Sequence, residues 1–211
     1  MIIHNEPVAK AGLPLSQAKK LLIMLHGRGD RAESFIQLAE DLTAPDFAFL
    51  APQAIQNKWY PYSFMAPISK NEPQLSLSLS GLSELMDDLD GLNFKTKDIF
   101  FLGFSQGACL TLEYCARHAK VYGGIIALTG GLLGERVDTT HYSGNFQGTP
   151  IFIGASDHDP HVPEIRIDES VAILSQMGAK VTKKIYPDMG HTINQDEINI
   201  ANDMLNHLTN S

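Results

Sequence analysis

The stretch FLGFSQGACL, Phe101 to Leu110, constrains the fold of this chain more than any other. An apolar run stops at Gly103, a lone serine stands between two glycines, and a helix-like run begins at Gln106. A strand must hand over directly to a helix there, and the glycines remove Cβ atoms where the two would collide. The same alternation of short apolar runs with amphipathic stretches recurs along the chain, the pattern of an α/β domain. Strands are predicted at about 20–25, 47–51, 99–103, 123–128, 150–154 and 181–186. Several are apolar throughout, as expected for parallel strands buried on both faces. Helices are predicted at about 32–42, 79–92, 106–117, 164–177 and 194–208. LSLSLS, just before the second of these, alternates like a strand and leaves that boundary open. The expected architecture is a doubly wound, mostly parallel sheet flanked by helices, right-handed at each crossover. Ligand sites in such sheets lie off the carboxyl ends of the strands.

At 211 residues the chain fits a single domain spanning 1–211. Its formal net charge of −8, with no Lys/Arg cluster, argues against a nucleic-acid partner. It would also weakly repel an anionic membrane, and no apolar run is long enough to span a bilayer. The N-terminus lacks the basic start and long apolar stretch of a signal peptide. Cys109 and Cys115 fall six positions apart on one predicted helix, about 9 Å along its axis and beyond disulfide reach. A cytoplasmic, reducing setting is expected. Oligomeric state has no sequence signal.

Gly103-Phe104-Ser105-Gln106-Gly107 matches G-x-S-x-G, a strand–turn–helix arrangement that projects a serine hydroxyl from the top of a sheet. The alternative is a serine that merely caps a helix; the buried strand before it and the helix after it favour the nucleophile. A hydroxyl needs a base, and the base an orienting acid. In this context they follow in the order Ser, acid, His. The strand at 150–154 is followed by SDHDPHVPE, and the strand at 181–186 by PDMGHTINQDE. His191 is the candidate base, carried on a turn after Gly190. His118, His141 and His207 fall within or at the ends of helices or in an irregular stretch. Asp157 and Asp159 both remain candidates for the acid, and Pro160 restricts Asp159 to an extended backbone. DHDPH also invites a metal reading, but four ligands within five consecutive residues rarely close a tetrahedral shell. No metal is expected there.

The segments LIMLHGRGD (22–30), WYPYSFMAP (59–67), GFSQGA (103–108), DHDPHVP (157–163) and the late GH pair together resemble the phospholipase/carboxylesterase family, which includes the acyl-protein thioesterases. The resemblance implies a single-domain α/β-hydrolase that cleaves carboxylic esters or thioesters without a cofactor. It implies Ser105 as nucleophile, His191 as base and Asp159 as acid, because the family acid is followed by Pro-x-Val-Pro. It implies an oxyanion hole built from the backbone N–H groups of Arg28 and Gln106. The eukaryotic thioesterases usually carry leucine where this chain has Arg28, so a guanidinium beside the pocket is expected to favour an anionic substrate. The aromatic stretch 59–65 is expected to line the acyl side of the pocket, with Trp59 as the substrate contact. No long insertion is present to act as a lid. The expected partner is a small acyl ester, thioester or lysophospholipid; chain length and leaving group have no sequence signal. Two rivals remain: a non-hydrolytic small-molecule receptor on the same scaffold, and dienelactone hydrolase-like chemistry, against which Ser105 speaks because that chemistry uses cysteine.

Overall fold

The computed structural model describes residues 2–3 and 6–207. Among these, eight strands form one sheet: β1 (Ile2–Ile3), β2 (Glu6–Gly12), β3 (Lys20–Leu25), β4 (Phe47–Pro52), β5 (Ile99–Phe104), β6 (Gly124–Leu128), β7 (Pro150–Ser156) and β8 (Lys180–Tyr186). Their order is β1-β2-β4-β3-β5-β6-β7-β8. From β4 to β8 every pairing is parallel; β1 and β2 add antiparallel at one side. All six predicted strands form. β1 and β2 were not predicted, and the sequence of β2 explains why: in EPVAKAG only Val8 is buried, so no apolar run marks the strand.

The central strands read as continuous apolar runs because the two faces of the sheet carry separate cores. In β3, Leu21, Ile23 and Leu25 face one core, whereas Leu22 and Met24 face the other. In β5, Ile99 and Phe101 face the first, and Phe100 and Leu102 the second. That alternation is the two-residue period of a pleated strand.

The helices are α1 (Ala32–Phe35), α2 (Ile68–Asn71), α3 (Gln74–Gly91), α4 (Gln106–Arg117), α5 (Glu164–Gln176) and α6 (Gln195–His207). Apolar residues of α3, α4 and α5 cover the first core; those of α1 and α6 cover the second. LSLSLS resolves as the first turns of α3. Leu75, Leu79, Leu82, Leu85, Met86 and Leu89 recur at helical spacing and are buried, each worth about 1.5–3 kcal/mol. The helix predicted at 32–42 is α-helical only to Phe35 and continues as a 3₁₀ turn over Ile36–Asp41. No side chain in that turn is fully buried; Ile36, Leu38 and Ala39 pack against the second core only in part. No helix among the described residues is long and apolar enough to cross a membrane.

Candidate functional site

Ser105 follows β5 directly and caps α4, with Cys109 N–H donating to its carbonyl oxygen at 3.0 Å. Its backbone lies at φ 53°, ψ −117°, a region that costs a non-glycine residue on the order of 1–3 kcal/mol. The neighbours fix it there: its N–H donates to Leu128 O at 2.9 Å, and the flanking glycines let the chain pass. A Cβ on Gly103 would stand 2.4 Å from Gly107 O, and one on Gly107 would stand 2.0 Å from Leu25 O.

Three other strand ends converge on this serine. The loop after β8 carries His191, whose Nε2 lies 2.8 Å from Ser105 Oγ. The loop after β7 carries Asp159, whose Oδ2 lies 2.6 Å from His191 Nδ1. The Asp159 side chain is fully buried. Its Oδ1 accepts the N–H groups of His161 at 2.7 Å and Val162 at 3.0 Å. With Nδ1–H donated to the carboxylate, Nε2 is left to accept a proton from the serine. Asp157 goes elsewhere. It is exposed, pairs with His158 Nδ1 at 2.8 Å and accepts Asp188 N–H at 2.9 Å. That N–H holds the Asp157 carboxyl below its usual range, and Asp157 in turn raises His158. The ligand atoms of Asp157, His158 and Asp188 lie within 4.8 Å of one another at the exposed rim, and these are the described residues that could approach a cation together.

The fourth strand end is that of β3. His26 there is buried, and burial lowers its pKa. Its Nδ1 contacts Gly27 O at 2.7 Å and its Nε2 accepts Ala54 N–H at 3.1 Å, so the neutral ring ties the end of β3 to the loop after β4. Gly27 passes directly beside Ser105: a Cβ on it would lie 3.6 Å from Ser105 Cβ. Gln106 opens α4, so its N–H is one of those no helical carbonyl can reach.

An open cleft of ≈ 430 Å³ meets Ser105 and His191. Tyr60, Tyr62, Phe64 and Val162 form apolar walls, and Arg28 and His161 also line it. Trp59 does not, which corrects the expectation that it contacts substrate. It is buried behind the cleft, and its indole N–H donates to His26 O at 2.8 Å. An indole N–H needs a partner when buried, and the nearest carbonyl turns the ring into the framework. Cys109 also borders the cleft, but burial pushes its thiol up to about 12, so no thiolate is available there.

Two structural roles had escaped the sequence. The Gln106 side chain accepts Trp59 N–H at 2.8 Å and donates to Tyr60 O at 2.8 Å. It thereby fastens the aromatic wall to the start of α4. Ser156, buried at the end of β7, accepts both His158 N–H at 3.2 Å and Gly190 N–H at 3.3 Å. Those are the residues immediately before Asp159 and His191, so one hydroxyl spans the loops that carry both. A serine ending a strand has no pattern that would announce this.

A sequence profile of the phospholipase/carboxylesterase family matches residues 9–209. This chain belongs to that family. The esterase-family member resembles a phospholipase/carboxylesterase of Dyadobacter fermentans, known from its crystal structure, at 46% identity and a TM-score of 0.93. The match covers 97% of this chain and 98% of that one. Acyl-protein thioesterase 1 of Saccharomyces cerevisiae is 28% identical over 206 residues, 87% of this chain and 90% of the yeast protein. A carboxylesterase of Bacillus cereus shares the fold at a TM-score of 0.76 and 18% identity, covering 97% of this chain and 95% of that one. The family is one of carboxylesterases and thioesterases, so this member is an α/β-hydrolase fold enzyme of the ester-cleaving class.

Proposed function

We propose that this esterase-family member hydrolyses carboxylic esters or thioesters through an acyl-enzyme on Ser105, with His191 as base and Asp159 as the group that orients it. The observation that carries the reading is the unbroken relay from Ser105 Oγ to His191 Nε2 at 2.8 Å and from His191 Nδ1 to Asp159 Oδ2 at 2.6 Å. As Ser105 Oγ bonds to the acyl carbon, His191 takes the hydroxyl proton and the carbonyl oxygen becomes an oxyanion. The Arg28 and Gln106 N–H groups receive that oxyanion; removing one such donor elsewhere costs about 3–4 kcal/mol of barrier. The carbonyl re-forms, the alcohol or thiol leaves with the proton from His191, and water repeats the sequence to release the acid. The buried Asp159 carboxylate stabilises the imidazolium formed in each half. Free, buried Cys109 and Cys115 fit a reducing, cytoplasmic setting.

The test is a p-nitrophenyl ester assay paired with fluorophosphonate labelling. Ser105→Ala is expected to lose turnover on the order of 10⁶-fold and all labelling, with its melting curve intact. Residual turnover near the wild-type rate would sink the assignment. Labelling of the wild type without steady turnover would point instead to a receptor on a hydrolase scaffold.

A further inference from the structure

We infer that Arg28 makes this cleft selective for esters that carry a carboxylate, and that its side chain, unlike its backbone, acts on substrate choice. The inference rests on the ester-hydrolase reading above. A guanidinium has five N–H donors in a rigid fork. Here Nη1 donates to Pro61 O at 2.7 Å and Nη2 donates to Tyr62 O. Its Cζ also lies over the Tyr60 ring, 5.9 Å from the centroid. These contacts fix the group at the cleft wall and leave three N–H donors in use by no carboxylate. Carbonyl oxygens orient a cation without neutralising it, and among the described residues no acid pairs with Arg28.

The rest of the lining offers the guanidinium no countercharge. His161 and His191 line the cleft beside Arg28, and among the described residues no carboxylate does. Asp159 is near, but its side chain is wholly buried behind His191 and its oxygens are taken by His191, His161 and Val162. A chain of net charge −8 thus presents an uncompensated, oriented cation in the cleft that meets Ser105. Against an overall negative surface, that local charge favours an anionic group only where the ester itself docks. A guanidinium matches a carboxylate in shape, and the charge-assisted bonds it makes are roughly twice as strong as neutral ones.

The carboxylate can belong to the acyl part or to the leaving group, and three matched esters separate these. They are p-nitrophenyl butyrate, mono-p-nitrophenyl glutarate and 4-(butyryloxy)benzoate. For each, kcat/KM of Arg28→Gln and Arg28→Lys is divided by the wild-type value, so intrinsic ester reactivity cancels. Glutamine can still bond one loop carbonyl but has no charge; lysine keeps the charge without the fork. The expected result is that Arg28→Gln lowers one or both anionic esters at least about fivefold more than the neutral one, with Arg28→Lys intermediate. A loss common to all three esters in both variants would leave Arg28 a loop clamp only and overturn the inference. The wild type supplies a check that needs no variant. Raising salt from about 0.01 M to about 1 M shortens the screening length from about 30 Å to about 3 Å. It should lower kcat/KM on the anionic ester and leave the neutral one level. Equal salt responses would also overturn the inference. If none of the three esters is hydrolysed, it is the hydrolase reading that fails, and the two failures are distinct.

Discussion

Gly107→Ala probes the junction on which the proposed oxyanion site depends. The added methyl would stand 2.0 Å from Leu25 O, 2.5 Å from Leu25 C and 2.6 Å from His26 O, whereas real Cβ contacts essentially never fall below 3.0 Å. All three atoms are backbone, so no side chain can swing aside. The first turn of α4 must therefore retreat from the end of β3 by about 1 Å. Gln106 sits on the α4 side of that gap and Arg28 on the β3 side, so their N–H groups part by a similar amount. Misplacement by about 1 Å costs on the order of 10²-fold in rate, or about 2.7 kcal/mol of barrier. Overpacking itself costs about 1–3 kcal/mol of stability, which a domain of this size can absorb. The assay is kcat on a neutral p-nitrophenyl ester, with thermal melts by circular dichroism confirming that the variant is folded at the assay temperature. A folded Gly107→Ala with kcat within about threefold of wild type would refute the reasoning, because the two donors would then not depend on how closely α4 meets β3.

Ser156→Ala removes the acceptor shared by His158 N–H and Gly190 N–H, two part-buried hydrogen bonds worth about 0.5–1.5 kcal/mol each; kcat should fall with KM little changed, and a fall in melting temperature with kcat untouched would reduce the hydroxyl to a purely structural one. Glu197 supplies a pH dependence. It is buried, its Oε1 has no hydrogen-bond partner, and burial pushes its carboxyl from 4.5 up to about 7. Because the folded value lies above the unfolded one, the native state holds the proton longer, and stability is lost as pH rises from about 4.5 through about 7. Glu197→Gln should match wild type below that window and exceed it above by about 2–3 kcal/mol; a pH-independent difference in urea unfolding would contradict this.

What the sequence revealed follows from where burial is total. Strands β3 to β7 have both faces covered, so apolar runs mark them almost to the residue. β2 has one buried side chain and left no mark. The Ser105 turn was legible because its requirements are local: a strand, a glycine, a helix start. The residues by themselves left Asp157 and Asp159 both open, being identical in type and two apart; the family resemblance pointed to Asp159, and it is Asp159 that meets His191 in the fold. Trp59 misled for a related reason. An aromatic residue in a cleft-side loop can serve as wall or as framework, and what decides is whether a buried carbonyl lies within reach of its N–H. His26 O does, and it comes from a strand end thirty-three positions away in sequence.

The different fates of Asp157 and Asp159 explain how the two loops hold the His191 ring in place. A carboxylate can enter the interior only if its lost water is replaced by donors. Asp159 receives three: His161 N–H and Val162 N–H from its own turn, and His191 Nδ1 from the neighbouring loop. Pro160 lies between Asp159 and those two amides and limits the backbone of Asp159 to extended conformations. The turn thus fixes the carboxylate before the histidine arrives, and the one oxygen still open points to where the imidazole must be. Asp157 stays in water, where a pair is worth little by itself, yet its bond to Asp188 N–H stitches the same two loops from outside. The buried acid sets the direction of the ring, and the exposed acid, with Ser156, limits how far the loop bearing it can drift. Distances of 2.6 and 2.8 Å on the two sides of one imidazole require both kinds of restraint, because His191 follows a glycine and has no strand of its own to hold it.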